Sequence, residues 1–183
     1  IFLLYNKIKM KERLKFPTTD YKKFPQKYYF LSVANNIVSI ANLNTTKKVI
    51  LDYGCGQKIF SKLLKNQRII NYDIKPEYSE CKSYENTNFD IVIFNHVLMY
   101  LYPKEIEELL DKIKKINPNC ELILSLGKQN FISKIAMVLA LNFKAHVSLS
   151  SYKEQTQIFL KKTKLIKKKM NIFAMTDVYY SKF

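Results

Sequence analysis

A short apolar strand that runs into a glycine turn constrains this chain more than any other feature of its sequence. The run Val49–Leu51 is followed directly by Asp52-Tyr53-Gly54-Cys55-Gly56. Glycine has no Cβ, so it lets the chain turn sharply and lets a ligand approach the backbone. The chain has only three glycines in 183 residues, and two of them stand in this turn. The pattern predicts a strand, a tight turn and then a helix, with room for a ligand at the turn.

Apolar runs alternate with helical spacing along the rest of the chain, which favours a parallel sheet with helices on both faces. The last two predicted strands are separated by little more than Met175-Thr176, and so short a link permits only an antiparallel pair. The predicted strands are Val49–Leu51, Arg68–Ile74, Phe89–Phe94, Glu121–Leu126, Leu165–Ala174 and Asp177–Phe183. The predicted helices are Phe30–Leu43, Ile59–Leu64, one from Pro103 past Ile113, Phe131–Leu141 and Tyr152–Lys162.

A carboxylate stands at the end of the second predicted sheet strand, where Asp73 precedes Ile74. In nucleotide-binding sheets a carboxylate at this position accepts the ribose hydroxyls of a nucleoside. A residue that merely caps a loop is the alternative. The strand context, the acidic start at Asp52 and the order of the two motifs favour the nucleoside interpretation.

With these motifs the sequence resembles the class I S-adenosylmethionine-dependent methyltransferases. Val49–Gly56 is similar to their first motif, Asn71–Ile74 to their second strand, and Phe89–Leu98 to their fourth strand and the turn after it. The resemblance implies an α/β, Rossmann-like, doubly wound sheet, mostly parallel, with a C-terminal antiparallel hairpin. It covers the chain from about Lys47, so we expect one domain: a helical segment or lid over residues 1–46, then the cofactor-binding part over residues 47–183.

The resemblance also implies S-adenosylmethionine as the cofactor, S-adenosylhomocysteine as its product, and roles for matching residues. The glycine turn would line the methionine part, Asp73 would bind the ribose, Ile74 would lie against adenine, and the turn after the fourth strand would lie beside the sulfonium. The cofactor-binding residues expected on this basis are Asp52, Gly54, Cys55, Gly56, Lys58, Asp73, Ile74, Tyr84, Asn95, His96 and Val97.

Two departures from the family pattern affect this list. Lys58 stands where the third glycine of the first motif usually falls. Residues 74–89 are also too few for the helix, third strand and acidic adenine contact that the family usually places there. We expect at most a brief strand near Cys81–Glu85, with Tyr84 or a neighbour taking the adenine contact.

The chain has two histidines, and both are candidates for a general base in methyl transfer. His96 follows the fourth-strand motif at the edge where ligands bind in open sheets. His146 follows the apolar helix Phe131–Leu141, which could itself be core, lid or a surface contact. A wall formed by Tyr28 or Tyr29, His96, the start of that helix and His146 is expected for the acceptor. Alternatively, His96 caps a helix or packs under the cofactor, and His146 is a surface or hinge residue.

The strong positive charge has two interpretations. There are 31 Lys and Arg against 15 Asp and Glu, but only Arg13 and Arg68 are arginines. Nucleic-acid readers favour the bidentate fork of arginine, so a lysine surface fits compositional bias and solubility better than sequence-specific binding. Asn95-His96-Val97-Leu98 also lacks the Asn/Asp-Pro-Pro-Tyr/Phe motif of amino-methylating enzymes that act on bases. We therefore expect a small-molecule acceptor, with an RNA methyltransferase or a degenerate cofactor-fold binding protein as alternatives.

The cysteines and the apolar runs narrow the class of protein without identifying a substrate. Cys55, Cys81 and Cys120 show neither a disulfide framework nor metal-ligand spacing, so no metal is expected. The longest apolar run is too short to cross a bilayer, and nothing at the start resembles a signal peptide, which predicts a cytoplasmic location. A monomer and a homodimer both stay open. The sequence begins at Ile1, which leaves open where the natural chain starts.

Overall fold

The computed structural model describes residues 26–128, 130–133 and 148–183. Within these ranges lie four helices and six strands, together with the 3₁₀ turns Tyr84–Asn86 and Leu98–Tyr100. The helices are α1 Gln26–Ile40, α2 Ile59–Leu63, α3 Pro103–Ile116 and α4 Tyr152–Lys162. The strands are β1 Ile50–Tyr53, β2 Ile69–Tyr72, β3 Ile91–Asn95, β4 Glu121–Gly127, β5 Lys164–Met170 and β6 Thr176–Lys182.

All six strands form one sheet in the order β2-β1-β3-β4-β6-β5. The first four are parallel, with Ile50 of β1 opposite Ile69 of β2 and Ile91 of β3. Strand β6 runs antiparallel to both β4 and β5. The carboxyl ends of β1 to β4 therefore meet at one edge, and the turn between β5 and β6 lies at that same edge. The expected parallel sheet with a terminal antiparallel hairpin is confirmed.

Helices cover both faces of the sheet. The apolar side of α1, with Val33, Ala34 and Ile37, packs with Phe60 of α2 on one face. The apolar stripe of α3 and Phe159 of α4 pack on the other. The central strands β1, β3 and β4 are mostly apolar because both of their faces are buried. This is the doubly wound architecture expected from the sequence.

Local sequence sets where the helices on the second face begin. Ser151 is the N-cap of α4: its hydroxyl accepts from the amide of Glu154, whose carboxylate in turn accepts from the amide of Ser151 at 2.8 Å. Helix α3 begins at Pro103, where a missing N–H is tolerated, and Glu105 accepts from the amide of Tyr102 at 2.8 Å.

Three segments differ from the prediction or lie beyond what the structure describes. Residues 74–89 contain a 3₁₀ turn and no strand, where the sequence predicted at most a brief strand near Cys81–Glu85. Ser83 caps that turn by accepting from the amide of Glu85. Strand β5 ends at Met170 rather than Ala174 because Asn171–Ala174 form a turn. Of the predicted helix Phe131–Leu141, the described residues 131–133 are helical.

The expected N-terminal segment is partly visible. Its described portion includes α1, which is tied to the hairpin because Asn36 donates from its side-chain amide to the carbonyl of Met170 at 3.3 Å. Helix α1 therefore belongs to the helical layer that covers one face of the sheet. Across the described ranges, no helix combines the length and the apolar character needed to cross a bilayer.

Candidate active site

The glycine turn after β1 is held against the neighbouring strand. The amides of Gly54 and Cys55 both donate to the carbonyl of Tyr72, at 2.7 Å and 3.0 Å. Gly54 has a φ of 76°. A Cβ at this position would lie 2.5 Å from Cγ2 of Val97, in the loop after β3. Glycine is required here both by its backbone conformation and by the close approach of that second loop.

The carboxylate of Asp73 joins the end of β2 to the glycine turn. Its Oδ2 accepts from the amide of Gly56 at 2.9 Å, and its Oδ1 accepts from the amide of Lys75 at 2.9 Å. Each carboxylate oxygen can accept two hydrogen bonds, so both retain capacity for a hydroxyl donor. The two sequence motifs therefore meet through one side chain at the carboxyl edge of the sheet.

Lys58 lies in a polar network that no pattern in the sequence indicated. Its φ of 56° is left-handed, and its Nζ lies 2.8 Å from Oε1 of Glu80. The other oxygen of Glu80 accepts from the side-chain amide of Asn71 at 2.8 Å. Burial on its own would raise the pKa of Glu80, but the hydrogen bonds from Lys58 and Asn71 outweigh it and lower that pKa. Lys58 thus anchors the loop over residues 77–80 beside the glycine turn.

Asp52 is a buried carboxyl beside Asp73. It is only 1 % exposed, and within the described part of the chain its Oδ2 has no hydrogen-bond partner. Burial, and secondarily the charge of Asp73, raise the pKa of Asp52 to about 8. The thiol of Cys55 is also buried and donates to the carbonyl of Tyr78 at 3.4 Å. Burial first and then Asp52 raise the pKa of Cys55, so this thiol stays protonated.

The turn after β3 is fixed by Ser125 of β4. The Ser125 hydroxyl donates to Oδ1 of Asn95 at 2.8 Å, and the amide of His96 donates to the same hydroxyl oxygen of Ser125 at 3.1 Å. His96 has a left-handed φ of 55°. Its ring lies 6.2 Å from the rings of both Tyr29 and Phe30 in α1. The structure therefore brings Tyr29 and His96 together, whereas the side chain of Tyr28 is 58 % exposed.

The residues expected near adenine are in different environments. Tyr84 is only 6 % exposed, and its ring packs 5.1 Å from that of Tyr72 and 5.2 Å from that of Tyr53. Ile74 directly follows Asp73 and is 37 % exposed. His146, the second candidate base, lies outside the described residues. No cluster of His, Cys, Asp and Glu with metal-ligand geometry occurs in the described ranges.

Comparison with known proteins identifies the family. Residues 26–155 match the model of a family described as a methyltransferase domain. A search of curated proteins finds no match. The chain belongs to this methyltransferase-domain family, and its fold and motif order are those of a class I S-adenosylmethionine-dependent methyltransferase.

Solved structures share the fold at low sequence identity. The PH0226 protein from Pyrococcus horikoshii OT3 superposes with a TM-score of 0.66 at 13 % identity, over 94 % of this chain and 98 % of that one. Magnesium protoporphyrin IX methyltransferase from Synechocystis PCC 6803, with bound S-adenosylhomocysteine, gives 0.59 at 14 % identity over 98 % and 94 %. N-methyltransferase NodS from Bradyrhizobium japonicum WM9, also with S-adenosylhomocysteine, gives 0.60 at 11 % identity over 94 % and 95 %.

Proposed function

We propose that this chain binds S-adenosylmethionine at the carboxyl edge of its sheet and transfers the methyl group to a small-molecule acceptor. The observation that carries the proposal is the carboxylate of Asp73, which holds the glycine turn through the amide of Gly56 and keeps acceptor capacity on both oxygens. A ribose diol needs such a pair of acceptors beside a close-approaching backbone.

The described residues fit this cofactor. Gly54, Cys55 and Gly56 would lie along its methionine part, and Asp73 would accept from its ribose hydroxyls. The buried Oδ2 of Asp52, which lacks a hydrogen-bond partner in the described ranges, suits a cationic ammonium group. Lys58 would act at one remove by fixing the adjoining loop through Glu80.

The adenine ring has one accessible neighbour among the expected residues. Ile74 is 37 % exposed and follows Asp73, so its side chain can pack on a ring attached to the ribose. Tyr84 is enclosed by Tyr53 and Tyr72, and we assign it to supporting the sheet beneath the ribose site rather than to direct contact.

The sulfonium of the cofactor supplies an activated methyl group, so the protein mainly has to position the acceptor. Asn95, His96 and Val97 would line this position because they follow β3 at the same edge. The backbone of His96 is fixed by Ser125, and its ring lies beside the rings of Tyr29 and Phe30. We assign His96 to placing the acceptor, and to removing its proton where the acceptor atom carries one.

The small-molecule acceptor is favoured over RNA by two observations. The turn Asn95–Leu98 lacks the prolines of the amino-methylating motif, and the cationic surface is almost entirely lysine. One protein of similar structure, magnesium protoporphyrin IX methyltransferase, is named for a small-molecule acceptor. The alternative of a degenerate methyltransferase fold requires that this site does not bind S-adenosylmethionine.

Two measurements test the proposal in turn. Titration calorimetry with S-adenosylmethionine should show binding, and absence of binding would favour the degenerate fold. The protein is then incubated with methyl-labelled cofactor and separated small-molecule and RNA fractions of a cell extract. Label in the small-molecule fraction supports the proposal, and label confined to RNA overturns it. A steep fall of RNA binding with added salt would show that such binding rests on phosphate contacts alone.

A further inference from the structure

The hairpin turn between β5 and β6 holds apolar side chains in solvent on a rigid backbone. The amide of Ala174 donates to the carbonyl of Asn171 at 2.9 Å, which closes the turn. The side chain of Asn171, only 3 % exposed, accepts from the amides of Met175 and Thr176 at 2.9 Å and 3.0 Å. Between these fixed points Ile172 is 81 % exposed and Phe173 is 37 % exposed.

A second apolar segment is tied to this turn. The side-chain amide of Asn130 donates to the carbonyl of Ala174 at 2.8 Å. The next two residues, Phe131 and Ile132, are 76 % and 49 % exposed. The tip patch is therefore one exposed surface formed by Phe131, Ile132, Met170, Ile172 and Phe173. Scattered exposed apolar residues are ordinary, but a contiguous group held by buried hydrogen bonds marks an interaction surface.

The strand behind the tip patch is strongly cationic. Between Glu154 and Asp177 the sequence has six lysines and no acidic residue. Nζ of Lys168 lies 5.0 Å from the Tyr179 ring on the α3/α4 face of the sheet, whereas Lys169 reaches Ser39 of α1 on the opposite face, at 3.0 Å. Lysines therefore stand on both sides of the sheet directly behind the tip.

We propose that the tip patch and the lysines of β5 form a docking surface for an anionic lipid bilayer. The exposed side chains of Ile172 and Phe131 suit insertion into a soft apolar medium. Lys168 is paired with Asp177. Lys167 and Lys169, however, are exposed beside the tip and lie where lipid phosphates would meet them. A second copy of the chain is disfavoured as the occupant because each copy carries a net charge of +16. The Lys-rich, bulged edge of β5 also opposes strand-to-strand pairing.

The chain contains no tryptophan, which allows a direct test. Ile172→Trp places the only tryptophan of the chain, and so its only tryptophan fluorescence, in the tip patch. Leu160→Trp is the matched control, since Leu160 is 38 % exposed near the end of α4, toward the opposite edge of the sheet. With vesicles of phosphatidylcholine and phosphatidylglycerol, emission of the Ile172→Trp protein should shift to shorter wavelength and that of the control should not. Equal shifts, or no shift in either protein, would overturn the proposal.

Sedimentation with the same vesicles gives a second measurement. The double variant Ile172→Glu/Phe173→Glu should bind about tenfold more weakly than the unchanged chain, because it places charge where apolar contact is needed. Lys167→Glu/Lys169→Glu, at the end of β5 next to the tip, should weaken binding most at low salt. Equal binding of all forms, or binding to homopolymer RNA without binding to vesicles, contradicts the proposal. Unchanged affinity of the variants for S-adenosylmethionine shows that they are folded and keeps this test separate from the proposed enzyme activity.

Discussion

The amide of Gly56 donates a hydrogen bond to Oδ2 of Asp73 over 2.9 Å, across the gap between the ends of β1 and β2. The residue that we assign to the ribose is thus also the residue that positions the glycine turn. Loss of its carboxylate removes a ligand contact and loosens the backbone that approaches the cofactor. Both effects act at the same edge of the sheet.

Asp73→Ala should weaken S-adenosylmethionine binding by roughly 1–3 kcal/mol, because charge-assisted hydrogen bonds to the ribose are lost. Calorimetry measures this directly. Asp90→Ala is the matched control, since Asp90 also accepts a backbone amide, that of Val49 at 2.8 Å, but at the opposite edge. Unchanged affinity in Asp73→Ala, or equal losses in both variants, would remove the ribose assignment.

Gly54→Ala should destabilise the fold, because the new Cβ would lie 2.5 Å from Cγ2 of Val97 on a backbone with φ of 76°. We expect a loss of roughly 1–3 kcal/mol in the free energy of unfolding by urea. Adding Val97→Ala should recover part of that loss, since it removes the clashing methyl group. A double variant no more stable than Gly54→Ala would show that backbone strain alone accounts for the effect.

Asp52 should make the free protein less stable as pH rises. Its pKa is about 8 in the folded state, against about 3.9 for an unfolded aspartate. The stability that this proton contributes is therefore fully present below pH 4 and is lost progressively between pH 4 and 8, with a slope of at most about 1.4 kcal/mol per pH unit. Asp52→Asn should remove this slope and raise the melting temperature at pH 7. Melting curves of both proteins between pH 5 and 8 that run parallel would exclude a buried neutral Asp52.

Asp177 should show the opposite behaviour. Burial would raise its pKa, but Lys128 and Lys168, each 2.8 Å from a carboxylate oxygen, together with Tyr152 lower it below the usual range. Its stabilising effect is present above the unfolded pKa and is lost as pH falls through the lower, folded value. At neutral pH Asp177→Asn should cost roughly 2–3 kcal/mol in urea unfolding, less than a fully buried pair because the lysines reach solvent.

The exposed pair of Asp111 and Lys162 provides the comparison for that variant. Nζ of Lys162 lies 2.6 Å from Oδ1 of Asp111, at least as close as the lysines lie to Asp177, but the Asp111 side chain is 58 % exposed. Asp111→Asn should change stability little, because water screens the pair. Similar losses at Asp111 and Asp177 would mean that burial does not set the strength of these contacts.

The sequence predicts the centre of the sheet well because β1, β3 and β4 are buried on both faces and carry apolar runs. The glycine turn and Asp73 were also predictable, since each stands at a fixed place relative to a strand. Glu80 was not, because it lies in a polar loop and acquires its role only when folding brings Lys58 and Asn71 to it. The burial of Tyr84 likewise depends on rings from two other segments.

The left-handed backbone at Lys58 and Ala174, with φ of 56° and 53°, is held by residues that carry a Cβ. In this region a residue with a Cβ is about 1–2 kcal/mol less favourable than glycine. A substitution to glycine recovers only part of that difference, because glycine also raises the conformational entropy of the unfolded chain. In Lys58→Gly the ion pair with Glu80 would also be lost, whereas Ala174→Gly has no such loss. A chain this poor in glycine therefore holds an accessible reserve of heat resistance at the turn between β5 and β6, which an engineer can reach without altering its core.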